Sequence, residues 1–458
     1  MSALSPGRAA LFLAQCIVLL GLCSCGSTAR EGGEAAECGD RADNDSDGAF
    51  DCADTDCATS DLCAGAGDDD TGDDDDTGDD DTGDDDTGDD DTGDDDTGDD
   101  DTGDDDTGDD DDSGAEPQLS VLAGPITLST QAAVDGLCDD FHTVAGDLSI
   151  VGPLVQDVSL LDCVIEVGGD LRIDGTSVNS VELPALAQLS GDLIVTGNSM
   201  LEAGELESLT SVGGRVELSS NDRLVDLTLV SGLSAIGGGL SVHSNGLLVE
   251  MALPQLVFLG GDLDLRSNFA LVTASLVALS AVGGSLEVRF NDVLEGLDLR
   301  SMESVAGSAW IASCLALADL DVGALEEVGD DLYIGGNASL PELDLGSLVT
   351  AGAIRLSLNP SQPAIDLSAL QSVLQDLQVS NNPSLSALSL PVLGTIGGRF
   401  EVAANGGLQQ MELASIQSIG GDFVVTANTN LPTDLIQAIV DALGTAGIGG
   451  SVTITDNG

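Results

Sequence analysis

From residue 146 onward, short bursts of alternating apolar and polar residues return on a fixed beat. Gly146, Gly169, Gly191, Gly214, Gly238, Gly261, Gly284, Gly307, Gly352, Gly398, Gly421 and Gly450 share one register, with Asp330 and Gln375 on the two remaining beats. Intervals run from 22 to 24 residues until a last one of 29. In the unit LGGDLDLRSNFALVTASLVAL, Leu263 and Leu265 alternate with polar neighbours as a short strand, and a second aliphatic set follows at Leu271 and Leu276. Leu340, Leu343 and Leu345 repeat that second set further along. A period of this length predicts a mainly β solenoid, because one coil alone cannot bury its apolar side and must stack on its neighbours.

Seven residues after most beats stands an asparagine: Asn198, Asn221, Asn245, Asn268, Asn291, Asn337, Asn359, Asn382, Asn405, Asn428 and Asn457. Seven after Gly307 stands Cys314 instead. A stacked asparagine can satisfy backbone groups where each coil turns, and a small, readily buried cysteine can replace it. Cys314 is therefore expected to be a reduced, buried member of the column rather than a redox or metal site, since nothing electropositive surrounds it to activate the thiol.

The GGDLxI units, the LxLxxN pattern with its Asn/Cys exchange and the opening ITLSTQAAVDGLCDDFHTVAGDLSI resemble leucine-rich repeats and, more closely, the receptor L domain, over residues 124–458. That resemblance implies a right-handed β-helical or leucine-rich-repeat-like solenoid, used for binding or adhesion without catalysis. About 14 coils with a 23-residue period exceed the usual length of a single L domain. Short capping helices are expected at each end, over STQAAVDGL at 129–137 and TDLIQAIVDAL at 433–443, the latter filling the long final interval. They would shield the open ends of the stack.

Composition sharpens this picture. The chain of 458 residues is 42% hydrophobic but only 2% aromatic, with 59 glycines, so its core must be aliphatic and regularly layered. The formal charge of −71 is concentrated in a TGDDD repeat, where 29 acidic residues lie between Asp68 and Asp112. All 11 basic residues are arginine, which disfavours nucleic acid and anionic membrane surfaces as partners and favours divalent cations. The repeat has nothing apolar to bury and repels itself, so it is expected to be a disordered, extended stalk.

The first residues carry an apolar run from Ala9 to Leu22, too short for an ordinary membrane span. The quartet Leu22-Cys23-Ser24-Cys25 resembles a bacterial lipobox, which implies lipid attachment at Cys25 and a bacterial outer-membrane or cell-surface location. Four segments result: a signal peptide over 1–24, a lipidated Cys/Asp-rich module over 25–66, the acidic linker over 67–114 and the solenoid over 115–458.

Within the module, Asp43, Asp45, Asp47, Gly48, Asp51 and Asp54 fall at positions 1, 3, 5, 6, 9 and 12 of a calcium loop, with the Ala49 carbonyl at position 7. Alternating oxygen ligands wrap a hard cation, so structural calcium is the expected cofactor. The motif resembles thrombospondin type 3 repeats, with Asp54 in place of the longer glutamate. An Asp-rich extension of the linker held by disulfides is the alternative. In an oxidising exterior, Cys38, Cys52, Cys57 and Cys63 can close two bridges, and Cys138 with Cys163 a third.

If the second and fourth residues after each beat point inward, the third and fifth point out. The third-position row then carries Asp264, Glu287, Trp310, Tyr333 and Arg355, placing the only tryptophan and the only tyrosine on neighbouring coils about 5 Å apart. Arg289 stands in the fifth-position row nearby. Trp310, Tyr333, Arg355, Glu287 and Arg289 are the candidate binding residues, for a cell-surface glycan or protein; an aromatic pair that merely covers the sheet is the alternative. Asp264 beside Glu287 could suit a polysaccharide-degrading β-helix enzyme, but cross-coil ion pairs with Arg266 and Arg289 account for them, and no triad, zinc pattern or phosphate loop is visible. The expected function is non-catalytic recognition or adhesion by a monomeric surface lipoprotein. A structural envelope protein that self-associates through the solenoid is the second reading.

Overall fold

The structure is a computed structural model that describes residues 120–444 and 446–458. The lipobox with Cys25, the calcium loop, Cys38, Cys52, Cys57, Cys63 and the acidic linker lie outside the described residues. Each coil contributes up to three strands. The coil that opens at Gly261 holds Leu263–Arg266, Thr273–Ser275 and Ala281–Val282. Every one of these pairs in parallel with its counterpart one coil later, as in Leu263↔Leu286, Thr273↔Gly296 and Ala281↔Ser304. The first and third kinds merge into one 23-stranded sheet, because Glu327–Gly335 and Thr350–Ser357 run through the bend between them. The result is a right-handed parallel β-solenoid of about 13 turns with a period of about 23 residues and short flanking helices. Fourteen beats bound thirteen intervals, which reconciles the turn count with the repeat.

Inward side chains form vertical columns. One of them runs Leu263, Leu286, Ala309, Leu332, Ile354, Leu377, Phe400 and Phe423, all essentially inaccessible. Each large member contributes roughly 1.5–3 kcal/mol by burial. Phe400 and Phe423 stack inside the last coils with ring centroids 5.3 Å apart.

Two polar columns hold the coils in register. In the first, each asparagine reaches back to the preceding coil. Asn268 Oδ1 accepts the Asn245 N–H at 3.0 Å, and its Nδ2 donates to the Val242 carbonyl at 2.9 Å. The same pair of bonds recurs up to Asn457, and the column opens at Thr176, whose N–H and hydroxyl both donate to Asn198 Oδ1. The residue before each member is left-handed: ten non-glycine residues, among them Phe290 and Leu358, have φ of 56° to 60°. Such a conformation costs about 1–2 kcal/mol per residue, offset here by the two bonds that the turn makes possible.

The second column runs the other way. Asp262 Oδ1 accepts the N–H of Ser285 on the following coil at 2.6 Å, and a Cβ on Gly284 would collide with that same oxygen. This close approach explains the recurring Gly-Gly-Asp: the beat must be bare so that the carboxylate below can pass. Asp147, Asp170, Asp192, Asp376 and Asp422 make the equivalent bond.

At the entry end, helices Gln131–Asp135 and Leu137–Asp140 replace a full strand, with Thr130 capping the first through the Ala133 N–H. A disulfide between Cys138 and Cys163, 25 residues apart, ties this entry to the next coil. At the far end, helix Thr433–Leu443 occupies the extra length of the last interval and buries Ile436. Helices Gln131–Asp135 and Thr433–Leu443 lie where the apolar patterns at 129–137 and 433–443 place them, while Leu137–Asp140 continues past the first.

Cys314 makes the weakest link in the asparagine column. Its sulfur lies 3.9 Å from the Val288 carbonyl, where the neighbouring asparagines bond at 2.9 Å. Cys314→Asn should therefore stabilise the fold by about 0.5–1.5 kcal/mol, whereas Asn268→Ala, which orphans the Asn245 N–H and the Val242 carbonyl, should cost about 2–5 kcal/mol. Denaturant unfolding of the two variants checks both signs.

Candidate functional site

The four-residue strands present one continuous outer face. Its third-position row pairs coil by coil from Asp264 to Glu287, Trp310, Tyr333 and Arg355. Small residues follow two positions later on the aromatic coils, Ala312 and Gly335. The Tyr333 ring lies along its own strand over Gly335, where an added Cβ would stand 2.6 Å from Cζ and the hydroxyl oxygen. Trp310 and Tyr333 meet edge to face, centroids 5.8 Å apart and planes at 76°, an arrangement that aligns the positive edge of one ring with the negative face of the other.

Arg289 organises the rest. Its guanidinium carbon lies 5.0 Å from the centre of the Trp310 ring and 6.0 Å from that of Phe290, so one cation bridges two aromatics. The same guanidinium pairs with Glu287 on its own strand. Arg355 pairs with Asp331 on the preceding coil at 3.1 Å and is half-buried. The Trp310 indole N–H and Arg289 Nε are buried without a hydrogen-bond partner.

Phe290 is the member that the repeat pattern did not single out. It occupies the left-handed corner position, φ 58°, and is 50% exposed. Neighbouring coils carry Ser267 and Ser313 there, so an aromatic in a column of small residues was the available signal. Phe269 and Leu315, 61% and 52% exposed, project from the same corner two residues further along their own coils. They extend the apolar surface around the edge.

The pairs of Arg266 and Arg289 differ from the cross-coil pattern expected, although Arg355 with Asp331 and Arg215 with Asp192 do cross between coils. Like charges stand side by side across coils, Asp264↔Glu287 and Arg266↔Arg289. Each arginine instead meets the carboxylate two residues earlier on its own strand, as Arg266 does with Asp264 at 3.0 Å. Residues i and i+2 share a face, and arginine is long enough to fold back along it. Burial pushes the Asp264 carboxyl above the usual range, opposed by Arg266 and reinforced by Glu287.

Among the described residues, no three His, Cys, Asp or Glu side chains are grouped to hold a metal ion. The expected calcium-loop residues Asp43, Asp45, Asp47, Ala49, Asp51 and Asp54 lie outside the described residues. No family model and no curated protein sequence matches the chain. The architecture is consistent with a leucine-rich-repeat-like solenoid.

Two outcomes follow from this geometry. The single tryptophan reports on its own site, so Arg289→Ala, which strips the cation from its face, should shift Trp310 fluorescence toward longer wavelength as water reaches the ring. For Cys314, burial pushes the thiol from an ordinary 9.0 up to about 11, against a smaller lowering by the Asn291 N–H. The native Cys314 peptide should therefore resist alkylation at pH 8 and react only in denaturant. The folded state holds this proton more tightly, so the thiol's contribution to stability is full below pH 9 and declines as pH rises toward 11; peptide mass spectrometry and unfolding against pH measure the two effects.

Proposed function

We propose that the solenoid is a non-catalytic recognition module, and that Phe290, Arg289, Trp310 and Tyr333 form the centre of its contact surface. One observation carries this reading: the protein's only tryptophan and only tyrosine pack against each other on the outer face, bound by a shared arginine to a third exposed ring. Tryptophan, tyrosine and arginine dominate the energetics of protein contacts because they combine large area with few torsions to freeze. One face of Trp310 is shared with Arg289, which favours a protein ligand over sugar stacking at this spot.

In this reading Cys25 anchors the chain by lipid to a bacterial outer membrane or cell surface. The Asp43–Asp54 loop takes calcium as a structural ion, and the acidic linker carries the solenoid away from the membrane. The partner is a protein or glycan on another surface, and the solenoid acts as a monomer. Self-association in an envelope layer is the second reading, favoured by the apolar corner at Phe269 and Leu315.

The test uses full-length protein. Trp310→Ala combined with Tyr333→Ala should reduce binding to target cells at least about tenfold, the loss of one hot-spot pair, while the thermal midpoint moves only a few degrees. Undiminished binding removes the patch from consideration. Concentration-dependent assembly in sedimentation, lost in Phe269→Ser with Leu315→Ser, supports the second reading instead.

A further inference from the structure

A ladder of backbone bonds runs along the corner where each coil enters the face built from three-residue strands, the second face. The N–H four residues after each member of the asparagine column donates to its counterpart one coil earlier. Val249 bonds to the Val225 carbonyl at 2.9 Å, Val272 to Val249 at 2.8 Å, Glu295 to Val272 at 2.8 Å and Ala318 to Glu295 at 3.0 Å. The next two positions are Pro341 and Pro363, which have no N–H to give. Beyond them the ladder resumes, with Ser386 on the Pro363 carbonyl at 2.8 Å and Gln409 on Ser386 at 2.9 Å. Two successive coils lack a bond that their neighbours on both sides make.

Three further observations fall on the same coils. Strands Glu250–Ala252, Thr273–Ser275, Gly296–Asp298 and Asp319–Asp321 form one second-face sheet, and Ala364–Asp366, Ala387–Ser389 and Gln410–Glu412 form another. Between the two sheets the intervening coil keeps a single bridge, Asp344↔Asp366. An earlier gap in this face, at the 3-10 helix Thr228–Val230, differs in kind, because Val225 and Val249 carry the corner ladder across it. Gln362 takes the inward position that Leu317, Leu340, Leu385 and Leu408 hold on neighbouring coils. It is fully buried, and neither its amide nitrogen nor its oxygen has a protein partner, so both forgo the bonds they make in water. Finally, Asp298, Asp321, Asp344 and Asp366 stand above one another on successive coils. Among the described residues the ion pair in that column is Arg300 with Asp298, at its far end. Carboxylates stacked at strand spacing repel one another.

The outer face with the aromatic row shows the reverse. Its strands Glu327–Gly335 and Thr350–Ser357 pair from Glu327↔Thr350 to Gly335↔Ser357 with one bulge, the most extensive pairing among the described strands.

We infer that these coils contain a joint: segments 338–348 and 360–367 of the second face open together as a local unit while the sheet of the outer face stays paired. Closing them restores no ladder bond at either proline, buries an unpaired amide and brings four carboxylates into line, so the free energy of opening is low. Opening on one side bends the solenoid there without severing it. The joint is independent of the aromatic cluster, whose strands lie on the face that holds.

Hydrogen exchange of the full-length protein, read by peptide mass spectrometry at neutral pH, tests the joint. After correction for intrinsic rates, 338–348 and 360–367 should exchange at least about tenfold faster than the equivalent segments 292–302 and 383–390, whereas 327–335 and 350–357 stay protected. Pro341→Ala introduces the residue that stands at 318 and supplies the missing donor, and Gln362→Leu completes the leucine column. Each should slow exchange in the two segments by about threefold or more, the worth of one hydrogen bond or one paired group, and leave 292–302 unchanged. Both variants carry a residue that a neighbouring coil already accommodates, and thermal unfolding verifies that they fold. Equal exchange in the joint and in its equivalent segments overturns the inference, as does loss of protection in 327–335 and 350–357 at the same rate, or unchanged exchange in both variants.

Discussion

Stacking coils leaves a row of backbone donors and carbonyls at every corner, where the chain turns too sharply for strand pairing to satisfy them. Two side-chain columns resolve this, and they face opposite ways. The asparagines reach back to the coil before, whereas the aspartates serve the coil after. Each coil is thereby bound to both neighbours by bonds that form only at one vertical offset. A coil shifted by a single residue would lose them and turn its aliphatic side outward. The left-handed residue before every asparagine and the bare glycine at the beat are consequences of that constraint, not independent features.

Once the corners and the core are held this way, the outer face is free to vary. Most of its third-position residues are half-buried, Ile194 and Val424 more deeply, and the solenoid tolerates charge, serine or aromatic there without changing its path. Departures from the repeat are therefore where chemistry can be placed. One departure adds bulk, at Phe290, Trp310 and Tyr333, and the small residues Ala312 and Gly335 make room for the rings. Another removes it, at Gly239 and Ser241, where the aspartate column lapses as it does again at Ala353 and Arg399. Cys314 departs in a third way: it keeps its place in the column with poorer bonds, and its buried thiol is held in the neutral form.

The solenoid was legible from the spacing of glycine, aliphatic and asparagine residues, because parallel strands pair in register and a constant period turns distant positions into vertical neighbours. The Glu287, Trp310, Tyr333 and Arg355 row followed from counting alone. The entry of the column at Thr176 was less visible, since threonine offers the donors but lacks the amide that marks the later members. The aspartate column was visible as a motif but not as a bonding system. Its meaning depends on a carboxylate passing within contact distance of a glycine one coil away.

What the amino-acid order determined by itself is which residues stand above one another and which face inward, for periodicity is a property of the chain. What only the tertiary structure decided is how side chains on the open face divide their partners. Arg266 and Arg289 could reach carboxylates across coils or along their own strands, and the pleat placed the latter closer. Arg289 could point to solvent or cover Trp310, and the space over Ala312 and Gly335 lets the rings lie low enough to meet it. Those choices turn on differences of a few ångströms between competing contacts, which a repeat pattern does not encode.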